Sequence, residues 1–250
     1  MSNELAGGAR SHRRVHSDAA DGGTDRPLVM IVDDDAAIRE SLQELMLSIG
    51  MDCMCFASTR ELLDAALPDR PGCLVLDVRL PGSSGLELQQ QLANNGNPKP
   101  IIFLTGHGDI PMTVHAMKAG AVDFLTKPVR DQTLLDAVSI GIARDIALRA
   151  TTRIVKQHVE RLETLTPRER QVFREVALGQ LNKQIAFTLG ISEITVKLHR
   201  SNVMRKMKAL SVGELIRAWE ALPTHARDEK ATQAPPDRGS RRHEAIDTSS

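Results

Sequence analysis

No tyrosine occurs in this 250-residue chain, and its only aromatic side chains are five phenylalanines and Trp219. A surface that stacks the bases of single-stranded nucleic acid on rings needs more than that, so such a platform is not expected. The three cysteines, Cys53, Cys55 and Cys73, are too few for a disulfide framework. Cys53-x-Cys55 has no second pair or histidine cluster with which to build a metal site, so the expectation is buried, reduced thiols. No apolar run has the length of a signal peptide or a membrane span, and a cytoplasmic chain with no membrane partner is expected.

The composition is that of an ordinary globular protein, 41% hydrophobic and 26% charged, with a formal net charge of zero. That zero hides a division. Residues 27–130 carry thirteen acidic and eight basic side chains, whereas residues 163–222 carry six acidic and ten basic. An acidic first half and a basic second half imply two domains with different partners, the basic one a candidate for nucleic acid. Residues 1–26 and 223–250 have few apolar side chains and are expected to be a disordered arm and tail.

Between the tails, short apolar runs alternate with helical patterns. LVMIV (28–32), CMCFA (53–57), CLVLD (73–77), IIFLT (101–105) and AVDFLT (121–126) predict strands. They lack in/out alternation, as parallel strands covered on both faces do. The first intervening helix has Ile38, Leu42, Leu45, Met46 and Ile49 on one face, with Asp35 placed to cap it. Five such alternations predict an α/β fold, a doubly wound five-stranded parallel sheet, with its site at the carboxyl ends of the strands. From 131 to 162 the pattern stays helical and without proline, a connector that is continuous or breaks near Thr151-Thr152.

This strand model gathers Asp33, Asp34, Asp77, Thr105 and Lys127 at one sheet edge. Three carboxylates there suit a hard divalent cation, Mg²⁺ above all, which takes few carboxylates together with water and phosphate oxygens. Lys127 can neutralise part of the cluster and grip a phosphoryl oxygen, and Thr105 offers a hydroxyl. The Gly82-Ser83-Ser84-Gly85 stretch is no phosphate loop, since it lacks the G-x-x-x-x-G-K pattern.

In the basic half, LTPRERQVF (165–173) sets Thr166 as N-cap, Pro167 at the first helical position and Glu169 three residues after the cap. A second helix near 182–190 stops at Gly190, and a third begins at a Ser192 cap, which is the helix-turn-helix pattern of an all-α domain. With Val196 set at 0° and 100° per residue, Val203 and Met207 fall within about 20° of it. Lys197, Leu198, Ser201, Arg205 and Lys208 fall on the outward side, between about 100° and 200°.

IVDDD, CLVLDVRLPGSSGLEL, IIFLTGHGD and AVDFLTKPV, in that order, resemble the receiver domain of two-component response regulators. The resemblance implies a flavodoxin-like receiver over 27–145, with Asp77 as phosphoacceptor. Asp34, Asp77 and the backbone carbonyl of Arg79 would ligate Mg²⁺, and Asp33 would hold its water shell. Lys127 would pair with the phosphate across a cis Lys127-Pro128 bond, Thr105 would swing to the acyl phosphate, and Phe124 would be the switch aromatic. His107 flanks the phosphate in a variable position. LTPRERQVF, NKQIAFTLGIS, TVKLHRSNVMRKM and SVGELIRAW resemble the LuxR-type output domain of NarL/FixJ regulators, over 163–222 after a helical linker, 146–162. By that likeness Lys197, Leu198 and Ser201 read bases, while Lys183, Arg200, Arg205, Lys206 and Lys208 contact phosphates. His199 is expected to pack. Leu215, Ile216 and Trp219 are candidates for a dimer contact, or else complete the domain core.

The resemblance thus implies a transcriptional regulator, not an enzyme. A sensor histidine kinase, double-stranded promoter DNA, RNA polymerase and a second copy of the chain would be its partners. An aspartyl-phosphate hydrolase of the haloacid dehalogenase type would need an acid two residues after the nucleophile, where Arg79 stands. A phosphorylation-independent DNA-binding protein with a vestigial receiver is the alternative, and the intact set of five residues argues against it. An output domain that binds only protein is a third reading, excluded by any affinity for duplex DNA.

Overall fold

The computed structural model describes residues 26–82, 84–94, 99–106 and 108–228. The arm before residue 26, His107 and all of the tail beyond Asp228 lie outside them. Five strands, β1 (Leu28–Val32), β2 (Asp52–Phe56), β3 (Gly72–Leu76), β4 (Ile101–Thr105) and β5 (Asp123–Thr126), form one parallel sheet in the order β2-β1-β3-β4-β5. Parallel pairing needs a crossover after each strand. The helices α1 (Ala36–Ser48), α2 (Thr59–Asp64), α3 (Gly85–Asn94) and α4 (Ile110–Lys118) supply them.

Both faces of the sheet are covered, which is why the central strands read as unbroken apolar runs. Met30 and Val32 of β1 point into a cluster with Leu62 of α2, Leu88 of α3 and Ala116 of α4. Val29 and Ile31, the alternate residues, point into a second cluster with Leu42 and Met46 of α1 and with Leu134, Val138 and Ile142 of the long helix α5 (Asp131–Glu163). β1, β3 and β4 are buried throughout.

The two edge strands depart from expectation. Among the described residues β2 pairs only with β1, and four of its five residues are half-buried. β5 starts at Asp123 rather than residue 121, and is half-buried until Thr126, which is exposed. Ala121 and Val122 instead lead into it, their amides bound to the carbonyls of Ala116 and Ile101. Ile49 leaves the apolar face of α1, because the helix ends at Ser48 and Ile49 stands outside it, 45% exposed. Asp35 caps α1 as expected, accepting from the Ala37 amide.

α5 runs unbroken for 33 residues. The hydroxyls of Thr151 and Thr152 donate back to the carbonyls of Ala147 and Leu148, four residues earlier, so these threonines are held within the helix. The chain divides into two units within α5, between Ile146 and Ala147. The second unit contains α6 (Pro167–Ala177), α7 (Asn182–Leu189), α8 (Glu193–Met207), α9 (Val212–Ala221) and α10 (Thr224–Asp228). α10 corrects the expected disorder from residue 223. The Pro223 carbonyl accepts from the Ala226 and Arg227 amides, and Ala226 packs on the core around Leu222. Among the described residues no helix is long and apolar enough to cross a membrane.

The cysteines carry no disulfide. Cys73 is buried beneath α5, and Cys53 and Cys55 are half-buried on β2. Burial pushes the Cys55 thiol up to about 11 and that of Cys73 to about 12. Both remain protonated thiols at neutral pH, poor nucleophiles and poor metal ligands.

Candidate functional site

The reversal of strand order between β1 and β3 opens a crevice at their carboxyl ends. Asp33 follows the last residue of β1 and Asp77 the last residue of β3. The Asp77 amide donates to the Val32 carbonyl at 2.9 Å, which sets the two loops side by side. Carboxylate oxygens of Asp33, Asp34 and Asp77 lie within 4.8 Å of one another. Asp33 and Asp77 are buried, and Asp34 is exposed.

Lys127, just past β5, reaches across this cluster. Its Nζ is 2.5 Å from Asp33 Oδ2 and 2.7 Å from Asp77 Oδ2. Backbone groups bind the other oxygens: Asp33 Oδ1 accepts from the Asp35 amide at 3.0 Å, and Asp77 Oδ1 from the Arg79 amide at 3.1 Å. Burial pushes the Asp33 carboxyl above its ordinary range, against the lowering effects of Lys127 and of the Asp35 amide, and Asp77 adds to the rise. Burial alone would pull Lys127 down, yet its hydrogen bonds to both carboxylates hold it above the ordinary lysine value. One ammonium against three carboxylates leaves an excess of negative charge. That donor set, hard oxygens with one member open to solvent, fits a divalent cation.

Thr105 ends β4 and is buried, and its carbonyl accepts from the Lys127 amide at 2.8 Å. The Lys127-Pro128 bond is cis, as expected. Phe124 is half-buried, its ring 5.9 Å from that of Phe103. A Cβ at Gly108 would lie 2.8 Å from Phe124 Cε1, so glycine lets the loop after β4 lie close against this ring. Gly85 serves the acceptor strand similarly: a Cβ there would meet the Asp77 carbonyl oxygen at 2.5 Å. This glycine, whose role in packing was not apparent from sequence, lets the start of α3 approach the backbone of Asp77. Arg79 is exposed, and its amide is committed to Asp77.

In the second unit, the Thr166 hydroxyl accepts from the Glu169 amide while Glu169 Oε2 accepts from the Thr166 amide, so the expected capping box is present. α7 stops at Gly190, whose φ of 65° is left-handed, and α8 starts after Ser192, whose hydroxyl accepts from the Thr195 amide. On α8, Val196, Val203 and Met207 are buried, and His199 is half-buried. Lys197, Leu198, Ser201, Arg205 and Lys208 are exposed together, as is Lys183 on α7.

Two expected phosphate contacts are engaged within the domain. Lys206 Nζ lies 2.6 Å from Glu169 Oε2 and 3.0 Å from the Thr164 carbonyl, and Arg200 donates to Asn182 Oδ1 at 2.9 Å. The angular reading held this signal, since it puts Lys206 at about 280° and Arg200 at about 40°, both beside the apolar face. The dimer candidates divide likewise. Leu215 is fully buried in the domain's own core, in line with the second of the two readings given for it. Trp219 packs edge-on to Phe173 with centroids 5.0 Å apart, and Ile216 is half-buried.

These geometries coincide with known families. Residues 29–139 match the model of the response regulator receiver domain, and residues 163–219 that of the luxR family of bacterial regulatory proteins. The chain belongs to the NarL/FixJ response regulators. It is 51% identical to nodulation protein W of Bradyrhizobium diazoefficiens, over 83% of this chain and 92% of that one. It is 44% identical to the transcriptional regulatory protein FixJ of Azorhizobium caulinodans, over 76% of this chain and 90% of that one. Among solved structures, the response regulator StyR matches with a TM-score of 0.68 and 45% identity, covering 78% of this chain and 98% of that one. A receiver joined to a LuxR-type DNA-binding domain makes this response regulator a regulator of transcription, with a kinase and DNA as the partners that this design implies.

Lys208 is a non-glycine residue at φ 54°, the left-handed cap of α8. Lys208→Gly is expected to raise the stability of the domain by up to about 1 kcal/mol, since glycine adopts that conformation without strain. If the ammonium meets a phosphate, the same change weakens binding to all duplexes alike and lowers the salt slope by about one. Glu169 is buried, which would raise its carboxyl, but the bonds from Lys206 and from Thr166 outweigh burial and hold it below its ordinary 4.5. Its stabilisation is therefore full above pH 4.5 and is lost as pH falls through the lower folded value. Glu169→Gln is expected to cost about 1.5–3 kcal/mol at pH 7 and little at the acid end. The fluorescence of Trp219, the single tryptophan, reports this domain in urea titrations.

Proposed function

We propose that Asp77 accepts a phosphoryl group from a sensor histidine kinase and that this transfer controls binding of the output domain to promoter DNA. The observation that carries the proposal is the gathering of Asp33, Asp34, Asp77, Thr105 and Lys127, from the ends of four strands, at one edge of the sheet.

Asp77 Oδ2 attacks the phosphorus of phosphohistidine, the P–N bond breaks, and the imidazole nitrogen leaves with the electron pair and takes a proton. Asp34, Asp77 and the Arg79 carbonyl would hold Mg²⁺, with Asp33 on its water shell. The ion would spread the charge of the transferring phosphoryl group. Lys127 exchanges its bond to Asp77 for one to a phosphoryl oxygen while keeping Asp33. Thr105 donates its hydroxyl to the acyl phosphate, and Phe124 packs into the space that the threonine leaves, which shifts a two-state receiver. Phosphorylation favours a homodimer, and two output domains occupy half-sites about 34 Å apart. Lys197, Leu198 and Ser201 meet base edges, and Lys183, Arg205 and Lys208 meet phosphates. Ile216 and Trp219 remain dimer candidates, and RNA polymerase is a further partner.

Incubation of the full chain with acetyl phosphate tests the chemistry. Phosphoryl incorporation that requires Mg²⁺ is expected. A chain that takes up none with the metal present would leave the vestigial receiver as the better account.

A further inference from the structure

Ile194, in the first turn of α8, is 80% exposed, and Leu198, one turn on, is 61% exposed. With Val196 at 0°, Ile194 lies at about 160° and Leu198 at about 200°, on either side of Arg205 at about 180°. Residues four apart on a helix are surface neighbours, so the two form one small apolar patch. Exposed Lys197 and Ser201 lie next to it along the helix, and exposed Arg205 and Lys208 stand two or more turns further on, on the same outward side. Glu193 is the only acidic residue of the helix, and at about 60° it stands off that face. A branched apolar side chain at one end of a helix face that is otherwise basic and polar fits an occupant that is strongly anionic yet offers apolar groups at fixed positions. The major groove of duplex DNA has both, because the thymine C5-methyl groups project into it between the phosphate backbones. Residues near the N-terminus of a recognition helix are also those that reach base edges.

We infer that Ile194 is a further specificity-determining residue, which contacts a thymine methyl next to the base pair read by Leu198. The inference rests on the reading of α8 as the recognition helix. It predicts that each half-site requires two A·T pairs for their methyl groups rather than for hydrogen bonds.

The test uses the full-length, acetyl-phosphate-treated chain. Duplexes are first recovered from a random library, and each thymine is then replaced by deoxyuridine, which lacks only the methyl. For the unaltered chain, deoxyuridine should cost about four-fold in affinity at two positions per half-site, the value of one buried methyl. Ile194→Ala should abolish that cost at one position and keep it at the other, and Leu198→Ala should do the reverse. Ile194→Val should keep part of it. The salt slope should match that of the unaltered chain, since no charge is touched. Helical circular dichroism confirms that the variants are folded. If Ile194→Ala keeps every deoxyuridine cost, or weakens thymine and deoxyuridine duplexes equally, the inference is overturned. Failure of the unaltered chain to select any duplex would overturn the recognition-helix reading as well, so the two failures are distinct.

Discussion

Asp77→Asn is expected to abolish phosphoryl incorporation from acetyl phosphate and, with it, any gain in DNA affinity. The amide keeps the shape of the side chain and can still accept from the Arg79 amide. It lacks the anionic oxygen that must attack phosphorus, and it removes one of the three carboxylates of the cation cluster. Loss below detection by intact-protein mass is the predicted outcome. The fold should survive, because the substitution relieves charge crowding while costing one ion pair. Incorporation that persists in the variant would assign the acceptor to another residue.

The second large effect is expected for Lys127→Met. The methionine preserves length and packing but leaves Asp33 and Asp77, buried and close together, without their ammonium. Removal of one partner of a fully buried pair costs about 3–5 kcal/mol, and the low end applies because Lys127 retains some contact with water. The loss should be greatest at neutral pH. Asp33 already has its carboxyl raised above 3.8 by burial. A raised group favours the fold below its unfolded value and ceases to do so as pH rises through the folded value, so acid should shrink the penalty. Mg²⁺ should restore stability in the variant by supplying the missing positive charge. Thermal unfolding followed by far-ultraviolet circular dichroism at pH 4 and pH 7, with and without Mg²⁺, checks both statements. A variant equally stable at both pH values and indifferent to the metal would contradict this account of the cluster.

How far the chain could be read without coordinates depended on burial. β1, β3 and β4 are covered on both faces, so their apolar runs mark their extent closely. β5 lies at an edge, where half-exposed positions blur the pattern, and its start moves from residue 121 to Asp123, whereas β2 and β3 each move by a single residue. The acidic edge was legible because carboxylates crowded at the ends of neighbouring strands repel one another unless a cation lies among them. The approach of α3 to Asp77 was not, since Gly85 gives no sign of its neighbours until the packing is known. In the output domain, Leu215 was left between a dimer contact and the core, where it packs, and Lys206 was read as a phosphate contact although its ammonium is bonded to the buried Glu169. Residue type alone does not distinguish a lysine that faces DNA from one that faces a buried carboxylate. Helical position does, and the same geometry that withdraws Lys206 brings forward Ile194.

A phosphoryl group on Asp77 is expected to raise the affinity of α8 for duplex DNA. The most direct test is the dissociation constant for a selected duplex, measured at one fixed salt concentration for the full chain with and without acetyl phosphate and Mg²⁺. Tightening within the range of about 5- to 150-fold that couplings between sites usually span is the predicted result, absent in Asp77→Asn. Equal affinity of the phosphorylated and unphosphorylated chain would contradict it.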